Sequence, residues 1–362
     1  MTGSRTASPR RADRPQDRPR RLIFAGEALV DMVMRVPALP ERGGDMLAES
    51  AEVTAGGGFN VMAAAARHGL PVLYAGGHGT GPWGDVVRAA LAAEGIGLLR
   101  PPDPDRDTGF DVAFVEPDAE RTFVTALGAE TMRGPGSWDA VPAGPGDAVY
   151  LSGYGLAAPD AGRALGGWAA ALPPGVLVFL DPGPLVAQIP DAVLAPVLAR
   201  CDWLSCNLRE STLLAGAPSH WDGSAPSADR TASPGGTASP GGTVSPGGTV
   251  SPADTASAAD TARRLLDRAA RADVLVRTGP DGCYLALRAS AEPVHVPAPR
   301  VTAVDMTGAG DAHSGVFLAA LADGLPALEA AARANAAAAF AVTLPGPATA
   351  PTRAQLDAWL SP

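Results

Sequence analysis

The chain has 362 residues, 46% apolar and 18% charged, enough for one large or two small domains of ordinary globular character. Its formal net charge of −10 excludes the broad basic surface that a nucleic-acid partner requires. All 28 basic residues are arginine, and the absence of lysine excludes both a Walker A phosphate loop and Schiff-base chemistry. Any phosphate handled here must meet backbone amides, helix N-termini, arginine or metal ions.

In chain order, residues 1–20 are rich in Arg, Pro, Ser and Asp without an apolar period, and they read as a disordered basic extension. The apolar stretch that follows, Leu22–Phe24, is interrupted by Glu27 and Asp31, so it is no signal core. No run approaches the ~20 apolar residues of a membrane helix, and a cytoplasmic chain with no membrane partner is expected. Strand-like runs follow at Leu22–Gly26, Val72–Ala75, Ala148–Ser152, Val176–Asp181, Asp202–Cys206 and Asp273–Thr278. Helix-like runs alternate with them at Asn60–His68, Asp85–Glu94, Asp160–Leu172, Asp191–Arg200, Thr261–Arg271, Asp311–Leu321 and Leu325–Val342. Short, continuous, β-branched strands between helices predict an α/β fold, a doubly wound, mostly parallel sheet sandwiched by helices. Two stretches break the alternation, about 33–54 and 108–127. The second carries Thr108, Asp111, Ala113 and Val115, then Arg121, Phe123 and Thr125, and both read as strands of a small separate sheet placed as a lid. Residues about 219–258 hold the repeat TASPGG, TASPGG, TVSPGG, TVSPAD from Thr231, and this Gly/Pro/Ser-rich segment reads as a disordered insertion. Cys201, Cys206 and Cys283 have neither metal-ligand nor disulfide spacing and read as buried thiols.

The chemistry concentrates in a few turns. Val304-Asp305-Met306-Thr307-Gly308-Ala309-Gly310-Asp311 runs straight into an alanine-rich helix. Glycines let the backbone approach a ligand, and free amides at a helix start favour an anion. A carboxylate at Asp311 is then placed to take a proton from a hydroxyl, or it is simply an acidic helix start. A second cluster, Gly56-Gly57-Gly58-Phe59-Asn60, opens another helix without dinucleotide-fingerprint spacing, and Asn60 can serve hydroxyls as donor and acceptor. Asp31 lies beyond the C-terminal end of the first strand, either facing a ligand or as a surface carboxylate. Asn207 and Glu210 form either a phosphate- and Mg²⁺-water-orienting pair or a capping pair. Thr278-Gly279-Pro280-Asp281-Gly282 is a tight turn after a strand, suited to wall a nucleotide.

In their order these pieces resemble the PfkB/ribokinase family of carbohydrate and nucleoside kinases over about 21–360, insertion apart. Gly308-Ala309-Gly310-Asp311 resembles the family's Asp-Thr-x-Gly-Ala-Gly-Asp signature. The resemblance implies Asp311 as catalytic base, Gly308, Ala309 and Gly310 as the anion hole, and Asp31, Gly56, Gly57 and Asn60 as contacts to substrate hydroxyls. It implies Asn207 and Glu210 at phosphate and Mg²⁺ through water, Thr278, Gly279 and Gly282 in the nucleotide pocket, and Asn335 beside the purine. Asp305 and Thr307 would adjoin the sugar and a monovalent cation such as K⁺. The small sheet would be the lid and, as in many members, a homodimer contact. The sequence departs from the family at Ala55, at Met306, and at Gly79-Thr80-Gly81-Pro82-Trp83-Gly84, which lacks the Asp of Gly-x-Asp-x-x-Gly. Its glycine cluster, with Glu116–Phe123 and Ser152–Tyr154, looks closest to a poorly characterised bacterial sugar-kinase branch.

The reaction so implied is transfer of the γ-phosphoryl of ATP, with Mg²⁺, to a hydroxyl of a small-molecule sugar. The alternatives are a nucleoside kinase of the same fold, disfavoured by the scarcity of aromatics, and a catalytically inert sugar- or nucleotide-binding regulator. A phosphosugar substrate would need arginine at its phosphate, and Arg35, Arg42 and Arg121 in the lid keep it open.

Overall fold

The computed structural model describes residues 18–117, 121–131, 134, 136–216 and 252–361. The central strands are β1 (Arg21–Ala25), β4 (Val72–Tyr74), β5 (Gly97–Leu98), β8 (Asp147–Ser152), β9 (Leu177–Asp181), β10 (Trp203–Asn207), β11 (Asp273–Arg277), β12 (Cys283–Ala286) and β13 (Val294–Val296). They form a nine-stranded sheet in the order β13-β12-β11-β10-β9-β8-β1-β4-β5. Pairing is parallel from β11 to β5, and only the β12 and β13 edge is antiparallel.

The inner strands of this sheet are apolar on both faces because both are covered. Leu22 and Phe24 join one core with α1 (Phe59–Arg67), α2 (Pro82–Ala93), α8 (Ala309–Ala322) and α9 (Ala327–Ala341). Ile23 and Ala25 join the other, beneath α4 (Pro159–Ala170), α5 (Asp191–Arg200), α6 (Leu208–Gly216) and α7 (Pro252–Arg268). This strict in–out division of neighbouring residues is the period-2 geometry of a strand with two buried faces. In the first core, Phe24, Tyr150 and Phe179 stack at centroid spacings of 5.1 and 5.3 Å, and Phe317 of α8 meets Trp203 edge-on at 4.8 Å. That aromatic row seats α8 across the sheet. Two short helices, α3 (Gly153–Ala157) and α10 (Arg353–Leu360), complete the chain.

The second sheet has four strands in the order β3-β2-β6-β7: β2 (Ala28–Arg35), β3 (Ser50–Gly57), β6 (Phe110–Val115) and β7 (Arg121–Ala126). It begins at Ala28 rather than near 33, because β1 runs through Gly26 and Glu27 directly into β2. Asp31 therefore belongs to this small sheet, mid-strand, opposite Thr54 and Asp111.

Helix α7 starts at Pro252, so residues 252–258, expected within the repeat insertion, are helical; the rest of that insertion lies outside the described residues, as does most of the basic N-terminal extension. The three cysteines are free and buried. Among the described residues no helix is long and apolar enough to cross a membrane.

The missing Asp of the Gly79–Gly84 turn has a structural substitute. Asp107 accepts from the amides of Trp83 (3.0 Å) and Gly84 (2.8 Å), capping the start of α2 from another part of the chain. A Cβ at Gly81 would fall 2.6 Å from that carboxylate, so glycine is needed where the two segments meet.

Candidate active site

The site lies at the C-terminal ends of the parallel strands, where α/β sheets open a crevice. Gly308 starts α8 in the left-handed conformation, φ 75°, a state that favours glycine. The turn points the first amides of α8 outward, and those of Gly310 and Asp311 have no intrahelical acceptor, as every helix start requires. The Ala309 amide is partly used, donating to Met306 O at 3.3 Å.

Asp311, half-buried in the first turn, accepts from Asn60 Nδ2 at 3.2 Å. This contact depends on close helix packing: a Cβ on Gly315 would lie 2.5 Å from Val61 O of α1. Burial pushes the Asp311 carboxyl up to about 6, against the Asn60 bond, with Asp181 raising it further and Arg277 opposing.

Asn60 follows the β3–α1 turn, which three glycines shape. A Cβ at Gly56 would lie 2.0 Å from the Asp31 carboxylate, and one at Gly58 2.1 Å from the Phe24 ring. Gly57 is left-handed, φ 59°. The structure thus brings Asp31, Gly56, Gly57 and Asn60 together on the lid-facing side of Asp311.

On the other side stand groups that the sequence reading did not single out. Arg277, the last residue of β11, donates to Asp181 Oδ2 (2.8 Å), Ser205 Oγ (3.1 Å) and Ser314 Oγ (3.1 Å), with Glu210 Oε2 at 3.7 Å. Its guanidinium also borders the anion turn, 3.5 Å from where a Cβ on Gly310 would sit. The signal was present in the sequence: Asp181 and Arg277 each follow an apolar run and close their strand, at the end where ligands gather.

Asn207 and Glu210 form a reciprocal cap. Glu210 accepts from the Asn207 amide and Nδ2, both at 2.8 Å, while Asn207 Oδ1 accepts from the Glu210 amide at 2.8 Å. Thr278 closes its turn by donating to Gly282 O from its amide (2.8 Å) and hydroxyl (3.0 Å), and both Gly279 and Gly282 have positive φ. Asn335 is buried, and its Nδ2 donates to Val296 O (2.8 Å) and Pro297 O (3.4 Å). It ties the end of β13 to α9.

Asp305 is fully engaged. It accepts from the Thr307 amide and hydroxyl (2.9 and 2.7 Å), from the Gly346 amide (3.1 Å) and from Arg121 of the lid, with Arg35 at 3.9 Å. These contacts outweigh burial and hold its carboxyl below the usual range. Arg42 is exposed.

The description "pfkB family carbohydrate kinase" attaches to a family model that matches residues 20–353. The uncharacterized sugar kinase YegV of Escherichia coli (strain K12) is 32% identical over 337 residues, 92% of each chain. Among solved structures, ribokinase from Cryptococcus neoformans var. grubii serotype A in complex with ADP superposes with a TM-score of 0.72 at 21% identity, over 94% of this chain and 99% of that one. Aminoimidazole riboside kinase from Salmonella enterica, complexed with aminoimidazole riboside and an ATP analog, gives 0.67 at 26% identity, over 94% and 100%.

Proposed function

Because the chain belongs to the pfkB family of carbohydrate kinases, we propose that it phosphorylates a sugar hydroxyl with ATP, using Asp311 as the general base. The observation that carries this reading is Asp311 in the first turn of α8, directly after the left-handed Gly308 turn and beside the Asn60 amide. A carboxyl near pKa 6 is mostly ionised at neutral pH yet basic enough to take a hydroxyl proton.

The Gly310 and Asp311 amides face where negative charge would develop on a transferring phosphoryl group, and Gly308 sets their direction. Arg277, held between Asp181 and Glu210, brings a guanidinium beside that turn. Asp31, Gly56, Gly57 and Asn60 line the hydroxyl side, where they would orient the sugar. Thr278, Gly279 and Gly282 form the turn against which the nucleotide would lie, and Asn335 holds the Val296–Pro297 segment behind it.

Mg²⁺ fits as an ion carried in by the nucleotide, where it would neutralise phosphate charge. Among the described residues no cluster of three or more His, Cys, Asp or Glu could hold a metal. Both Glu210 oxygens already accept from Asn207, which leaves Glu210 to orient the ion's water. The Asp305 carboxylate carries the Arg121 guanidinium, so a cation beside Thr307 has its charge requirement met from the lid. The exposed Phe123 (51%) and Val124 (61%) on β7 support a homodimer through the lid sheet.

An ADP-release assay over neutral sugars, sugar acids, sugar phosphates and nucleosides, with ATP and Mg²⁺, tests the reading. Sugar-dependent ADP release is expected; release with nucleosides alone, or with none of these compounds, contradicts it.

A further inference from the structure

Asp111 enters the site from β6. Asp31 and Asp111 are register partners on neighbouring parallel strands, so their side chains leave the same face of the small sheet. The two carboxyls hydrogen-bond to each other; burial, then the charges of Asp111 and Asp311, raises Asp31, and burial raises Asp111 against its bond to Asp31, so the pair holds on to a proton that isolated aspartates would release. A Cβ at Gly56, in the turn that leads to Asn60, would lie 2.0 Å from the Asp31 carboxylate, which sets the pair near the Asn60–Asp311 contact.

A second observation points to a ligand. Asn60 is 6% exposed, with Nδ2 on Asp311 but Oδ1 buried and unpartnered. Buried polar atoms nearly always have a partner, so an orphan acceptor beside the proposed base marks where a donor from outside will sit. Asp111 Oδ1 is likewise buried, and no amide, hydroxyl or guanidinium reaches it. The pocket wall therefore offers acceptors, and its occupant must bring the donors.

The arginines that could have welcomed an anion here are used elsewhere. Arg121 and Arg35 both meet Asp305, Arg277 lies between Asp181 and Glu210, and Arg42 is exposed.

We propose that Asp111 is a specificity-determining residue: with Asp31 it forms a two-carboxylate clamp on neighbouring hydroxyls, selecting sugars without a phosphate or carboxylate. The clamp rests on the kinase reading above and narrows its substrate class. Donors of the sugar would satisfy these acceptors, whereas an anionic substituent would face carboxylates with no guanidinium to balance it.

The test measures kcat and KM by ADP release for wild type, Asp111→Ala and Asp111→Asn. The neutral probes are D-ribose, D-fructose and D-glucose, and the anionic probes are fructose 6-phosphate and D-gluconate. Wild type is expected to favour a neutral sugar. Asp111→Ala should raise its KM by about 10- to 100-fold with little change in kcat, since a lost donor–acceptor pair in a buried site acts on binding. Asp111→Asn, which keeps the shape without the charge, should narrow the gap between neutral and anionic probes. Thermal melting of both variants checks that they fold; relief of the carboxyl pair should leave them at least as stable as wild type. The proposal is overturned if wild type prefers an anionic probe, or if folded Asp111→Ala keeps the wild-type KM. Absence of turnover on every probe is a different result: it removes the kinase reading, and the clamp with it.

Discussion

Replacing Asn60 with leucine isolates the hydrogen bond that tunes the proposed base. Leucine keeps the volume and burial of the site while deleting the Asn60 Nδ2 donor to Asp311. That donor favours the ionised carboxylate, so its loss raises the Asp311 pKa. A hydrogen bond to a charged group contributes ~1.5–3 kcal/mol and a pKa unit corresponds to ~1.4 kcal/mol. The 3.2 Å length places this bond at the weak end of that range. The expected shift is therefore about one unit upward. Because protonated Asp311 cannot accept the hydroxyl proton, kcat/KM falls as pH drops through its pKa. The acid limb should thus stand near 6 in wild type and higher in Asn60→Leu. The assay is a pH profile of kcat/KM with saturating ATP and Mg²⁺. Loss of an Asn60–substrate contact would lower the whole profile without moving its midpoint. An acid limb that stays in place, or moves to lower pH, refutes the assignment of the limb to an Asp311 tuned by Asn60.

Three other outcomes follow. Arg277→Ala should lose roughly 3–5 kcal/mol in urea unfolding, because the buried carboxylates of Asp181 and Glu210 are left without their partner; an unchanged midpoint would mean that this pairing contributes nothing. Wild-type turnover should be the same with K⁺ as with a bulky monovalent cation, since Arg121 already balances Asp305, and Arg121→Ala should acquire a K⁺ response; strong K⁺ activation of wild type refutes this. Sedimentation should give the mass of two chains, reverting to one in a Phe123→Glu/Val124→Glu double variant; a wild-type monomer removes the lid contact.

The parts of the fold that could be read from sequence share one physical property. Strands of a parallel sheet covered on both faces are uninterrupted apolar runs, so β1, β4, β8, β9, β10 and β11 were visible. Strands β12 and β13 lie at the antiparallel edge, and Val294 and His295 are exposed, so their short runs carry no such signature. Helix α2 was expected at Asp85 but begins at Pro82: its capping carboxylate, Asp107, comes from another segment, and the local signal was the proline at the first helical position. In the site, the glycine turns were legible because close backbone approach demands glycine at fixed spacing. Asp111 was read only as part of a strand's polar alternation, and its partnership with Asp31 exists only once β2 and β6 pair. Arg277 was hidden for the same reason: its partners Asp181, Ser205, Glu210 and Ser314 come from four separate segments. Asn335, expected beside the purine, donates to Val296 O and Pro297 O, partners that lie 39 and 38 residues away in the chain.

The central claim is that Asp311 takes the proton from the sugar hydroxyl. Asp311→Asn is close to isosteric and keeps an acceptor for Asn60 Nδ2, so fold and binding should persist. On the sugar that wild type uses best, kcat should fall by on the order of 10²–10⁴ with KM nearly unchanged. A kcat close to wild type in this variant would contradict the account.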